Sequence, residues 1–132
     1  MNELQLPPDV LAKLRCRAGG EQYEERAYLF VLAGIEYLQR RLPERRHVSG
    51  AELTHACRDF ALEQYGLLAR EVLDHWGIRE TADFGRIVYA LVEAGLLVTQ
   101  PGDRLEDFEG LYAFDQAFDA SYVWRGTSQP GN

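Results

Sequence analysis

Four arginines and a histidine fall within eight residues, Arg40, Arg41, Arg45, Arg46 and His47 in the run RRLPERRH. Guanidinium groups at that density offer forked donors to a phosphate, a carboxylate or an RNA backbone. The same pattern also describes a solvated helix C-terminus, where cations face the negative end of the helix dipole. A third arrangement would bring the cluster against the chain's own acidic stretch, residues 103–119, within one molecule or between two. The sequence leaves all three open.

The three histidines raise metal and acid–base chemistry. His55 and Cys57 lie two residues apart in a helical run and would point about 200° apart, so they cannot share an ion. His47 and His75 have no second ligand at the i+3 or i+4 spacing of helical metal sites. No metal and no cofactor is therefore expected. A histidine–carboxylate pair could be drawn from His47, Glu52, His75 and Asp83. Both acids, however, sit in the first turns of helices, where capping explains them, and no nucleophile elbow, phosphate loop or Cys–His signature accompanies them. Asp83-Phe84-Gly85 spells a kinase metal motif, but neither a catalytic loop nor a glycine-rich loop supports it. Trp76 and Trp124 suit a core or lid better than a binding platform. The candidate binding residues are thus Arg40, Arg41, Arg45, Arg46, His47, His75 and Trp76, and no residue is assigned a catalytic role.

The elements that would position them are helical. Pro7-Pro8-Asp9 starts a helix, since proline fits the first turn and an acid favours the positive dipole end. Gly19-Gly20 stops it. A second helix is predicted over about 23–42, ended by Pro43, and its middle, AYLFVLAGI, is apolar nearly all round, as in a helix surrounded by others. In HVSGAEL, Ser49 and Glu52 form a capping box, with Val48 and Leu53 placed for the hydrophobic staple. The helix that follows should bury Leu53, Ala56, Cys57, Phe60, Ala61 and Gln64 or Tyr65, and expose Glu52, His55, Asp59 and Glu63. Gly66, Gly77 and Gly95 each follow a helix, and Leu67, Ile78 and Leu96 could fold back in the Schellman manner. Thr81 is expected to cap the next helix, whose buried face is Phe84, Ile87, Val88, Leu91, Val92 and Gly95. Its outer face would carry Asp83, Arg86, Tyr89 and Glu93.

Residues 67–94 therefore read as helix, turn, helix. A short strand over 96–99 and the turn at Pro101-Gly102-Asp103 would complete a winged-helix-like order. The acidic, aromatic segment after it should wrap back onto the core, as a short strand or turn near 111–114 and as helix after Asp115. The expected fold class is mainly α: a compact bundle of five or six helices with a small strand or hairpin after Gly95. It forms a single domain over 1–125 with a fraying tail at 126–132.

With 132 residues, 46% hydrophobic and 27% charged, the chain can bury one core. Its net charge of −7 disfavours nucleic acid as a partner. From Leu67 to Phe118 four arginines face ten carboxylates, a net of −6 around the helix that would have to read DNA. The first residues show neither a basic nor an apolar signal region, no apolar run is long enough for a membrane span, and Cys16 and Cys57 are expected as free thiols. A cytoplasmic location follows as an expectation.

At HVSGAEL, ALEQYG, VLDHWGI and DFGRIVYALVEAGLL the chain resembles a family of small bacterial proteins of unknown function, found mainly in the planctomycete and verrucomicrobial group. The likeness runs over roughly 23–118 and is most specific at residues 47–53 and at His75, Trp76 and Gly77. It implies a cytoplasmic bacterial protein and brings no catalytic residues. It does draw attention to His47, Glu52, His75, Trp76 and Asp83 as a shared surface or polar core. The expected function is a non-enzymatic protein-interaction or regulatory adaptor domain, contacting another protein or a second copy of itself through the arginine cluster and the acidic arm. The alternative is a winged-helix-like nucleic-acid-associated protein binding through residues 40–47. A third reading is a small enzyme or ligand-binding protein with a site near His47 and His75.

Overall fold

Capping chemistry sets the helix boundaries. The computed structural model describes residues 8–15 and 23–118, and Cys16, the Gly19-Gly20 stop, Trp124 and the tail at 126–132 lie outside them. Six α-helical segments follow in order: α1 (Pro8–Arg15), α2 (Glu25–Arg40), α3 (Gly50–Tyr65), α4 (Ala69–His75), α5 (Thr81–Glu93) and the single turn α6 (Phe114–Ala117). Two 3-10 turns, Gly66–Leu68 and Leu105–Phe108, complete the described regular structure. The mainly helical expectation holds, and no described helix is long and apolar enough to cross a membrane.

α2 is the central strut. Ala27, Tyr28, Phe30, Val31 and Gly34 are buried along it, and it packs beside both α3 and α5. The approach to α3 is close at Gly34, where an added Cβ would stand 2.9 Å from the Cys57 sulfur. α3 buries Leu53, Ala56, Cys57 and Ala61 as its pattern assigned, and also Thr54, while Phe60 and Tyr65 are half covered and Gln64 is exposed. The Thr54 hydroxyl bonds back to the Gly50 carbonyl at 2.7 Å, which satisfies it inside the core. Phe30 gathers Phe60 at 5.3 Å and Trp76 at 5.7 Å between ring centroids.

Gly77 and Gly95 have positive φ and close Schellman turns, with Ile78 N–H donating to the Leu73 carbonyl and Leu96 N–H to the Leu91 carbonyl, each at 2.9 Å. Gly66 differs. Its φ is positive, but ψ is −126°, outside the left-handed helical region, and its N–H returns to Leu62 as the chain runs on into a 3-10 turn. Leu67 is consequently 60% exposed instead of folding back on Leu62.

The wing does not form in the described residues. Residues 97–100 have no regular structure and 105–108 are a 3-10 turn. Aspartates explain the difference. The Asp103 carboxylate accepts the Gln100 N–H at 2.8 Å, and Asp107 accepts the Arg104 N–H at 3.1 Å. Amides that a strand ladder would need are thereby engaged locally, as Asx chemistry favours. Phe108 then anchors this arm across the starts of α3 and α5. An added Cβ at Gly50 or at Gly85 would lie 2.8 Å from its side chain, so both glycines are slots for one phenyl ring. Farther on, Tyr112, Phe114 and Phe118 cluster edge-to-face and stacked, and the Tyr112 hydroxyl donates to the Thr54 carbonyl at 2.9 Å. The aromatic arm does wrap back onto the core, as α6 and irregular chain with no strand near 111–114.

Candidate functional site: a cleft under the acidic arm

The C-terminus of α2, the N-terminus of α3, the middle of α5 and the arm over 97–108 enclose a cleft of about 150 Å³. Its floor is apolar, made by Ile35, Leu53, Val88, Leu97 and Phe108. Its rim is polar and includes Gln39, Arg46, His47, Ser49, Tyr89, Asp103, Arg104 and Asp107. Val98 stands on the lip with 83% of its surface exposed.

One wall is fixed by the capping box. Ser49 Oγ accepts the Glu52 N–H at 3.1 Å, while Glu52 Oε1 accepts the Ser49 N–H at 2.8 Å. Arg46 forks onto the same carboxylate at 2.8 and 3.2 Å and also donates to the His47 carbonyl. The guanidinium, with the Ser49 amide behind it, holds the Glu52 carboxyl down at about 2. Gln39 clamps the Arg46 backbone from both sides, donating to its carbonyl at 2.6 Å and accepting its N–H at 3.1 Å. The opposite wall is the arm, fastened by His47 Nε2 3.2 Å from Asp103. Burial, and then the charges of Asp103, Asp107 and Glu106, push the Tyr89 hydroxyl above its ordinary range.

The arginine cluster divides. Arg40 and Arg45 both pair with Glu36, at 3.5 and 3.0 Å, and Arg41 lies 4.5 Å over the Tyr37 ring. Only Arg46 and His47 reach the cleft. The cluster therefore meets α2 and α3 carboxylates, and the acidic arm touches it through His47 alone among the described residues. His75 ends α4 exposed and Trp76 is a buried core residue against Phe30 and Tyr65; neither lines the cleft. His55 packs its ring 5.5 Å from Tyr112, and Asp59, one turn on along α3, pairs with Arg58.

Two corrections concern α5. Thr81 is not its cap: Glu80 precedes the helix, and Thr81 is buried with its hydroxyl accepting the Leu111 N–H at 3.2 Å. Asp83 does not face outward. It is 5% exposed and accepts four hydrogen bonds, from Tyr23 Oη and Arg86 at 2.6 Å, from the Arg79 amide at 2.8 Å and from the Glu80 amide at 3.0 Å. Burial and this bond to Asp83 raise the Tyr23 hydroxyl well above its usual range. Tyr89 is turned against Phe108, so of the four residues expected outside, Glu93 alone is exposed.

Other depressions are present among the described residues. One of about 390 Å³ is open and charged, with Arg70 paired to Asp115 and Arg79 to Asp74. The second, about 180 Å³, lies between His55, Arg58 and Tyr112. Among the described residues no group of three or more His, Cys, Asp or Glu side chains is placed to hold a metal ion. Burial lifts the Cys57 thiol far above its ordinary range, away from the thiolate that reacts.

The sequence singled out Arg46 and His47 and offered residues 103–119, Asp103 among them, as one partner of the cluster, but missed Gln39, Tyr89, Leu97 and Val98 as members of the same site. The signal for the arm was present in its turn residues, yet the place where it docks depends on Phe108 and two glycines far apart in sequence. Compared with known proteins, the chain matches no family model, no curated protein sequence and no solved structure.

Proposed function

We infer that this chain is a protein-interaction domain that receives one side chain of a partner in the cleft under the acidic arm. The size of the cleft carries this reading. Sites for metabolites and cofactors run to roughly 300–1,000 Å³, whereas about 150 Å³ between aliphatic and phenyl walls fits a single benzene-sized group. Anchoring one side chain in an apolar pocket, with a polar rim around it, is how small interfaces concentrate their affinity. Val98, exposed on the lip, extends the apolar surface beyond the pocket, as a docking face requires. The resemblance to a bacterial family of unknown function is compatible with such a role and adds no residue to it. Nucleic-acid binding through residues 40–47 has less to rest on. Arg40, Arg45 and Arg46 are already paired with carboxylates, and Arg41 is spent on Tyr37.

A photo-crosslinking residue in place of Val98, expressed in the native host, tests this directly. A discrete covalent adduct is expected from position 98 and none from Glu63, an exposed control on α3. An adduct of two copies of the 15.0 kDa chain would assign the partner as the protein itself. No adduct at 98, with a strictly monomeric protein by native mass spectrometry, overturns the reading.

A further inference from the structure

If the cleft docks a partner, the charges around its mouth determine what that partner segment must look like. The basic wall is already satisfied: Arg46 gives both terminal nitrogens to Glu52 and one of them also to the His47 carbonyl. On the opposite side the balance is acidic. Asp103 and Asp107 line the rim with Tyr89, and Glu106 is exposed on the same 3-10 turn as Asp107; against them stand His47, shared with Asp103, and Arg104, whose guanidinium is 4.0 Å from Asp107 on a side chain 71% exposed. Glu106 has no ion pair among the described residues. With Arg46 cancelled by Glu52 and Arg104 set against Asp107, Asp103 on the rim and the exposed Glu106 on the same arm leave a negative balance beside an apolar opening.

We propose that the segment entering the cleft is basic: a stretch of lysines and arginines around one aliphatic residue, whose side chain fills the space between Leu53, Val88, Leu97 and Phe108. The aliphatic group supplies the affinity, by leaving water for an apolar pocket. The flanking cations supply selectivity and orientation, because like charges brought against Asp103 and Glu106 would be repelled. Val98 and the partly exposed Leu105 offer apolar surface to the stems of long basic side chains, which lie along such surface while their heads stay solvated. This inference rests on the docking reading and goes beyond it in naming the partner's chemistry.

Fluorescence anisotropy with the full chain and three short capped peptides tests it. One carries a single leucine flanked by lysine and arginine, the second has serine in place of that leucine, and the third keeps the leucine but is flanked by glutamate. The basic leucine peptide should bind, and the serine version should bind roughly tenfold more weakly. The glutamate version should not bind. Val98→Asp, altered at an exposed position, should leave the fold intact by circular dichroism and change affinity for the basic leucine peptide at least about threefold. Glu106→Gln should weaken the basic peptide about two- to threefold, and added salt should do the same in the wild type. Equal binding of the acidic and basic leucine peptides overturns the charge assignment and leaves the docking reading standing. Binding of neither, while position 98 forms its crosslink, overturns the basic-segment inference alone. Binding of neither, with no crosslink, removes both.

Discussion

The starts of α3 and α5 are built from the same local device, put to opposite uses. In each, a carboxylate on the third helical residue reaches back to the amide just before the helix, Glu52 to Ser49 and Asp83 to Glu80. Each carboxylate also takes an arginine, Arg46 or Arg86. At α3 the assembly stands at the surface and forms the rim of the cleft. At α5 it is buried, and a tyrosine from the far end of the chain order, Tyr23, closes it. A surface cap contributes locally and can be rearranged by a ligand. A buried one cross-links elements, and its loss would leave Arg86 with only the exposed Glu80, 3.4 Å away. The two helix starts thus separate what holds the molecule together from what it can offer to a partner.

Replacing Asp83 by asparagine should have the largest effect. The isosteric amide cannot neutralise Arg86, and its NH2 faces donors from Arg79, Glu80 or Tyr23 where the carboxylate accepted all of them. A loss of about 3–5 kcal/mol is expected, the scale for breaking one side of a buried pair, read from urea unfolding. Asp83→Asn costing under about 1 kcal/mol, the scale of a surface pair, would erase the distinction between the two helix starts. Alkaline pH should probe the same network. The folded-state hydroxyl of Tyr23 titrates above its usual value. Its contribution is therefore complete below the ordinary tyrosine range, about pH 10, and is lost as pH rises beyond it.

The slot for Phe108 should come second. Gly85→Ala gains about 1 kcal/mol of helix propensity, but its methyl would meet the Cβ, Cγ and Cδ1 of Phe108 at 2.8–2.9 Å. Those atoms lie at the root of the side chain and cannot swing aside, so overpacking wins and a net loss of about 1–3 kcal/mol is expected. At Gly50 the methyl would meet the distal ring atoms Cε1 and Cζ, which can yield, so Gly50→Ala should cost less. Equal costs at the two glycines, in thermal or urea unfolding, would mean that Phe108 is not held by its base. A Phe108→Ala change should therefore cost less in the Gly85→Ala background than in the wild type, because the Cγ and Cδ1 that meet the methyl are then gone.

Which parts of this were legible in sequence follows from how local their causes are. The Ser49–Glu52 box and the glycine stops at Gly77 and Gly95 involve residues within one turn of one another, and the pattern showed them directly. Asp83 was misplaced, although it lies four residues before Ile87 and seven before Ala90, both buried. Its charge placed it on the outer face, despite that spacing. What made burial tolerable was Tyr23, 60 residues away, which no local rule supplies. The wing failed for a similar reason. Turn chemistry at Pro101-Gly102-Asp103 was visible, but the use of Asp103 and Asp107 to satisfy nearby amides left no strand partner. The docking of Phe108 between Gly50 and Gly85 could have been suspected only from two glycines placed where a helix former would otherwise serve. For the site, residues 46 and 47 were visible as charge, while Leu97 and Val98 belong to the cleft only because the arm is pinned across it.

The smallest expected effect is the counterpart at α3. Glu52→Gln keeps a side chain able to reach the Ser49 amide and loses the charge that pairs with Arg46. Because that pair is solvent-exposed on both sides, the cost near neutral pH should stay within about 1 kcal/mol. The pH dependence is more telling than the size. In the folded chain the Glu52 carboxyl titrates at about 2, against an ordinary value of 4.5, so between those values the unfolded chain binds the additional proton. The contribution is complete above the ordinary value and is lost progressively as pH falls from there through about 2. Stability of the wild type measured by urea unfolding across that acid window should therefore fall more steeply than that of Glu52→Gln, the two curves drawing together at the acid end. Parallel curves would mean that Arg46 does not hold Glu52 in solution. The basic wall of the cleft would then be free to take an acidic ligand, and the rim would no longer differ from the arginines around it.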